Sequence, residues 1–261
     1  MTASPSDPVL YEVRGDAAWI TLNTPENHNA LSMQLCRGLA DSVARANADD
    51  AARMIVLTGV GRSFCSGADL KSRGGGAAPE ERAAGRPPFS QAILGLWNSP
   101  KPVIGRIQGG AYGGGVGLIA ACDFAICADR LKFAFTEVRL GLAPSIISVF
   151  VLRKLFLPDA SRAFLTGERF SAEEGVRMGL IHRAVPEAEL DGAVAEQIDA
   201  LRQCGPRALQ EVKKLLRTVP QLTIEQGLDW AEAKNKELFN GEEGREGMAA
   251  FAEKRKPSWA P

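Results

Sequence analysis

Two glycine-bearing stretches hold the residues best placed to do chemistry. One is SFCSGADLKS, residues 63–72; the other is GGAYGGGVGL, residues 109–118. Each follows an apolar run that reads as a strand, and each leads into a helix start. A helix N-terminus leaves backbone N–H groups unpaired and carries partial positive charge. Two such termini converging hold N–H donors over one point, which stabilises an oxyanion as it develops. Glycine at 113, 114 and 115 lets the backbone come close to that oxygen. Proton transfer at carbon or at water also requires a positioned carboxylate. The second stretch contains none.

The elements that position these loops follow from periodicity. VLYEV (9–13) and AWITLN (18–23) read as a hairpin turning at Gly15-Asp16. LSMQLCRGLADSVARANADD has helical spacing, with Leu31, Leu35, Leu39 and Val43 on one stripe and Ser32 as its cap. RMIVLTG (53–59), KPVIGRIQG, FAICA and KFAF read as strands; FSQAILGLWNS and GGVGLIAACD read as helices. RGGGAAPEERAAGRPP (73–88) reads as a mobile surface loop within one domain, because strand–helix alternation resumes after it. Long amphipathic helices take over near residue 195. The expected organisation is a core over 1–195 and a helical oligomerisation region over 196–261.

The chain has 261 residues and 45% hydrophobic content, enough for a substantial core. With 31 basic and 31 acidic residues, it lacks the bulk charge of a nucleic-acid binder. No apolar run approaches a membrane span, and the N-terminal segment lacks the pattern of a signal peptide. Five scattered cysteines without a C-x-x-C pair fit reduced thiols in a cytoplasmic protein, with neither a disulfide framework nor a metal site.

SFCSGADL, GGAYGGGVGLIAACD and FAFTEVRLGLAP, with NHNALS (27–32) and AFAEKRKP (250–257) near the two ends, together resemble the enoyl-CoA hydratase/isomerase (crotonase) superfamily. The resemblance implies an α/β fold, the crotonase (ClpP-like) spiral of ββα turns, with a C-terminal helical trimerisation region. It also implies an acyl-CoA substrate, assembly as a homotrimer or a hexamer of paired trimers, and no cofactor beyond the coenzyme A of the substrate. By motif position, the backbone N–H groups of Ala68 and Gly114 form the oxyanion hole for the thioester carbonyl. Many hydratases of the family flank the substrate with two glutamates. The first position is Gly117 here; the second is Glu137, which the resemblance makes the catalytic acid–base. EVRLGLAPSIIS with GGGVGL looks nearest the bacterial methylglutaconyl-CoA-hydratase-like branch. Remaining substrate-contacting positions would be His28, Ala30, Ser66, Asp69, Leu70, Lys71, Tyr112, Gly113, Gly117 and Thr136.

The resemblance favours a hydratase. One carboxylate also suffices for a Δ3,Δ2-enoyl-CoA isomerase, and a lost carboxylate is compatible with a catalytically weak acyl-CoA-binding subunit. Several residues carry a plainer reading as well. GVGLIA (115–120) matches a dinucleotide fingerprint, but the acidic residue that should follow is absent at the right spacing. Cys65 and Ser66 suggest a nucleophile, yet no nucleophile elbow surrounds them and only His28 and His182 could serve as base. Asp69 fits a helix-start brace better than a second acid. His28 either lines the CoA or is an ordinary loop histidine, and His182 reads as structural. Lys71 and EKRKP (253–257) reach CoA phosphates or are solvated cations.

Overall fold

The computed structural model describes residues 6–70 and 85–261. Lys71 and most of the glycine-rich loop expected over 73–88 lie outside the described residues.

β1 (Val9–Arg14) and β2 (Ala17–Leu22) form an antiparallel hairpin whose ends pair Arg14 with Ala17. The turn is made by Gly15 at φ 62° and Asp16, as the sequence predicts. α1 (Met33–Ala48) starts at Ser32, whose side chain accepts from the Leu35 N–H. Leu35, Leu39 and Val43 turn its apolar stripe into the core. β3 (Met54–Gly59) is buried along its whole length, which its unbroken apolar run requires of a parallel strand covered on both faces.

From β3 onward the chain winds between two sheets. β3, β5 (Val103–Ile107), β7 (Phe124–Ala128) and β10 (Arg183–Val185) extend the hairpin into a six-stranded sheet of order β1-β2-β3-β5-β7-β10, parallel from β2 onward. β4 (Ser63–Cys65), β6 (Gly110–Tyr112) and β8 (Lys132–Ala134) run parallel in a second sheet, closed by antiparallel β9 (Phe170–Ser171). Each turn thus places one strand in the large sheet and the next in the small one. α2 (Pro88–Asn98) and α3 (Gly114–Ala121) pack with α1 around the core between them. α4 (Ser145–Val151) lies against α3, and α5 (Leu157–Thr166) and α6 (Ala172–Arg177) follow. This is the α/β crotonase fold.

The described chain divides into two compact units. One holds residues up to Ser99 and Val103–Val194; the other holds Pro100–Pro102 and Ala195–Pro261. α7 (Leu190–Arg202) precedes α8 (Pro206–Thr218), α9 (Ile224–Asn240) and α10 (Glu242–Glu253). In the second unit Lys213 Nζ donates to the Lys101 carbonyl at 2.7 Å, and buried Glu211 pairs with Lys214 at 2.6 Å. Arg255, in the basic C-terminal segment, pairs with Glu246 and Glu253. No described helix is long and apolar enough to cross a membrane.

Candidate active site

Parallel pairing of β4 with β6 puts the two glycine-bearing loops side by side. The first loop is tied to residues 28–31: Ser66 N–H donates to the His28 carbonyl at 3.0 Å, and Leu31 N–H donates to the Gly67 carbonyl at 2.8 Å. Leu31 and Ala68 form an isolated parallel bridge. Gly67 has φ +87°, and a β-carbon there would lie 2.7 Å from the Tyr112 carbonyl oxygen and 3.5 Å from the Gly114 nitrogen. The residue before Ala68 therefore abuts the backbone just before and at Gly114. Only glycine permits both the turn and the approach.

In the second loop Gly113 adopts φ 50° and ψ −119° as the cap of α3, and its N–H donates to the Ala134 carbonyl at 2.9 Å. Its own carbonyl takes the N–H groups of Val116 and Gly117. Among the described residues, neither Ala68 N–H nor Gly114 N–H donates to a backbone acceptor.

Glu137 comes from the 3₁₀ helix Thr136–Leu140 that follows β8. Leu142 N–H donates to its carbonyl at 3.0 Å, and Gly141 at φ 71° ends the turn. The carboxylate rests on Gly113: a β-carbon at 113 would meet Oε1 at 2.9 Å and Cδ at 3.3 Å. Oε2 is buried without a hydrogen-bond partner among the described residues. Burial holds the carboxyl above its usual range, against a smaller opposing effect of its own backbone. A carboxylate with a raised pKa and an unpaired oxygen beside backbone donors can accept a proton and return it.

Glycines of this run also leave space for neighbouring protein atoms. A β-carbon at Gly114 would overlap Leu31 Cδ1 and touch Phe89; one at Gly115 would lie 2.8 Å from Cys65 Cβ. At Gly117 it would overlap Ile147 Cγ2 and lie 2.8 Å from Ile147 Cβ. The missing side chains make room for protein atoms packed on α3. Gly115 and Gly117 are buried in the helix, so the dinucleotide-like spacing does not open onto a phosphate.

The remaining expected positions surround this centre unevenly. His28 is exposed at φ 59°, with Nδ1 3.3 Å from Ser63 Oγ. Ala30 is buried, and Ser66 Oγ donates to the Asn27 carbonyl at 3.4 Å. Asp69 is already engaged, whereas Leu70 is exposed. The Arg169 guanidinium lies 5.6 Å over the Tyr112 ring, and the Tyr112 carbonyl oxygen abuts Gly67. Thr136 opens the 3₁₀ helix and is half-buried. Cys65 is fully buried and its thiol is pushed up to about 12 by desolvation, which leaves no thiolate for nucleophilic attack. His182 is held neutral, near 4, by burial and by Lys154, and its Nδ1 accepts from the Ala125 N–H. No metal-holding cluster occurs among the described residues.

Sequence reasoning missed two positioning residues. Asn29 is completely buried at φ 54°; its Nδ2 donates to the carbonyls of Val60 and Ser63 at 3.0 Å, and its Oδ1 accepts from Thr24 N–H at 2.8 Å. It fixes the approach to β4 against the 24–29 turn. Ile147, on α4, covers Gly117. Asn29 stands inside a quoted motif; Ile147 carried no local signal.

Residues 12–261 match the enoyl-CoA hydratase/isomerase family. The chain is 34% identical over 253 residues to carnitinyl-CoA dehydratase of Proteus mirabilis (strain HI4320), covering 94% of this chain and 95% of that one. Among solved structures, an enoyl-CoA hydratase from Shewanella pealeana superposes with TM-score 0.90 at 31% identity, covering 97% and 96% of the two chains. Pseudomonas aeruginosa AtuE does so with TM-score 0.89 at 34% identity, covering 97% and 100%. The chain belongs to the enoyl-CoA hydratase/isomerase (crotonase) family, and that membership implies an acyl-CoA substrate.

Proposed function

We propose that the protein is a hydro-lyase interconverting a 2-enoyl-CoA and a 3-hydroxyacyl-CoA. The thioester oxygen accepts from Ala68 N–H and Gly114 N–H. Glu137 takes a proton from water as the water oxygen bonds to the β-carbon, and the double-bond electrons move onto the thioester oxygen. The carbonyl re-forms as Glu137 delivers its proton to the α-carbon, which regenerates the carboxylate. Dehydration is the same path reversed, so relatives named as hydratases and as dehydratases support one chemistry.

The observation that carries this reading is the Glu137 carboxylate seated on Gly113, one residue from the Gly114 amide, with a buried oxygen left unpaired. Desolvation favours the protonated intermediate form that returns the proton to carbon. The test is loss of the enone absorbance of crotonyl-CoA, abolished in Glu137→Gln.

Gly117 under Ile147 favours a second reading, Δ3,Δ2-enoyl-CoA isomerisation, which needs one carboxylate alone. It predicts a gain of enone absorbance from a 3-enoyl-CoA. Ile224 and Phe251, each 86% exposed on the C-terminal helices, support a homotrimer or hexamer in which those helices meet another subunit.

A further inference from the structure

Gly117 lies one turn beyond Gly113 on α3, and its N–H donates to the Gly113 carbonyl at 3.2 Å. Residues four apart share a helix face, and helical side chains tilt toward the N-terminus. A side chain at 117 would therefore point along α3 toward Gly113, where the Glu137 carboxylate rests. That space belongs to Ile147. Its Cγ2 and Cβ press on the bare Gly117 backbone, and Ile93 Cδ1 backs it at 3.4 Å from where a β-carbon would stand. Ile147 and Ile93 are 3% and 1% exposed, so neither can swing aside into solvent without opening the core.

We propose that Ile147, seated on Gly117 and backed by Ile93, is a positioning residue that acts by exclusion: it keeps a second ionisable group off this face of α3, so that Glu137 alone carries the protons of the reaction. The inference rests on the hydro-lyase reading and adds why this face of α3 carries no second carboxylate. Hydrocarbon against the glycine leaves no volume for a longer side chain at 117. The pair is coupled: glycine at 117 requires a branched chain at 147 to fill the space, and isoleucine at 147 permits only glycine at 117. The restriction is one of packing, so trimming Ile147 lifts it.

The test compares Gly117→Glu, Ile147→Ala and the two combined, in the full chain. Gly117→Glu is expected to lower the thermal midpoint by at least about 5 °C, because an overpacked core yields poorly. Ile147→Ala alone also lowers the midpoint. Added to Gly117→Glu, it restores at least half of the loss, the non-additivity expected of residues sharing one space. Glu137→Gln is then made in each background and assayed with crotonyl-CoA. It should cost about 10²- to 10⁴-fold in the parent and less than about 10-fold in the combined variant, where Glu at 117 can act. A Gly117→Glu protein with the parent's midpoint overturns the proposal. So do midpoint losses that simply add, or an unchanged cost of Glu137→Gln in the combined background. An active Glu137→Gln in the parent instead overturns the hydro-lyase reading itself, and that outcome is distinct from the midpoint results.

Discussion

The Glu137 carboxylate lies on the α-carbon of Gly113, close enough that a β-carbon at 113 would stand 2.9 Å from Oε1. Gly113 also holds φ 50° and ψ −119°, a conformation that side chains resist. Gly113→Ala therefore strains the backbone by about 1–3 kcal/mol and displaces the carboxylate together. The expected result is a fall in kcat of about 10²-fold with KM little changed, since a misplaced group near 1 Å has that effect. Steady-state kinetics beside a thermal melt separates this from unfolding.

Burial raises the Glu137 pKa, and the sign of the consequence is fixed. The base form is needed, so kcat/KM falls as pH falls through a value above the ordinary carboxylate range. Between the unfolded and folded pKa values the folded state binds more protons, so stability declines as pH rises through that window. Glu137→Gln removes a buried charge of this kind. At pH 7 it should melt no lower than the parent while losing activity, and the parent should gain on it as pH is lowered.

Asn29 joins three backbone groups from two segments. Asn29→Ala leaves buried donors and acceptors unpaired and places alanine at φ 54°. The expected loss is about 2–4 kcal/mol. Urea unfolding should show a lower midpoint at an unchanged slope. Activity should fall as well, because the same bonds place the start of β4.

Much of the scaffold was legible because its signals are local. The Ser32 cap, the Gly15-Asp16 turn and the buried run of β3 each depend on a few adjacent residues. The glycine loops were legible as strand-to-helix turns, and Glu137 is singled out by the family motif rather than by any pattern of charge or period. Contacts across the fold were not legible. Ile147 meets Gly117 from thirty positions away, and Leu31 meets Gly114 from a different motif. The glycine-rich run suggests clearance for a substrate oxygen; the side chains that pack against Gly114, Gly115 and Gly117 come from distant parts of the chain and leave no trace in the run itself. Nothing in NHNALS indicates that the Asn29 amide reaches Val60 and Ser63.

His182 gives the fold a dependence on acid. Desolvation, reinforced by the Lys154 ammonium and opposed by Asp123, brings its pKa from 6.5 to about 4. Between those values the unfolded chain binds more protons, so stability rises with pH there and is lost as pH falls from about 6.5 toward about 4. Unfolding free energy measured from pH 7 to pH 4 should show this slope in the parent, and a reduced slope in His182→Gln.

A crystal of Glu137→Gln with an enoyl-CoA bound tests the central claim most directly. The thioester oxygen is expected within about 2.7–3.1 Å of both the Ala68 and Gly114 nitrogens, with the residue 137 side chain beside the α- and β-carbons. A thioester oxygen bound to neither amide, or an acyl chain whose α- and β-carbons lie away from residue 137, would contradict it.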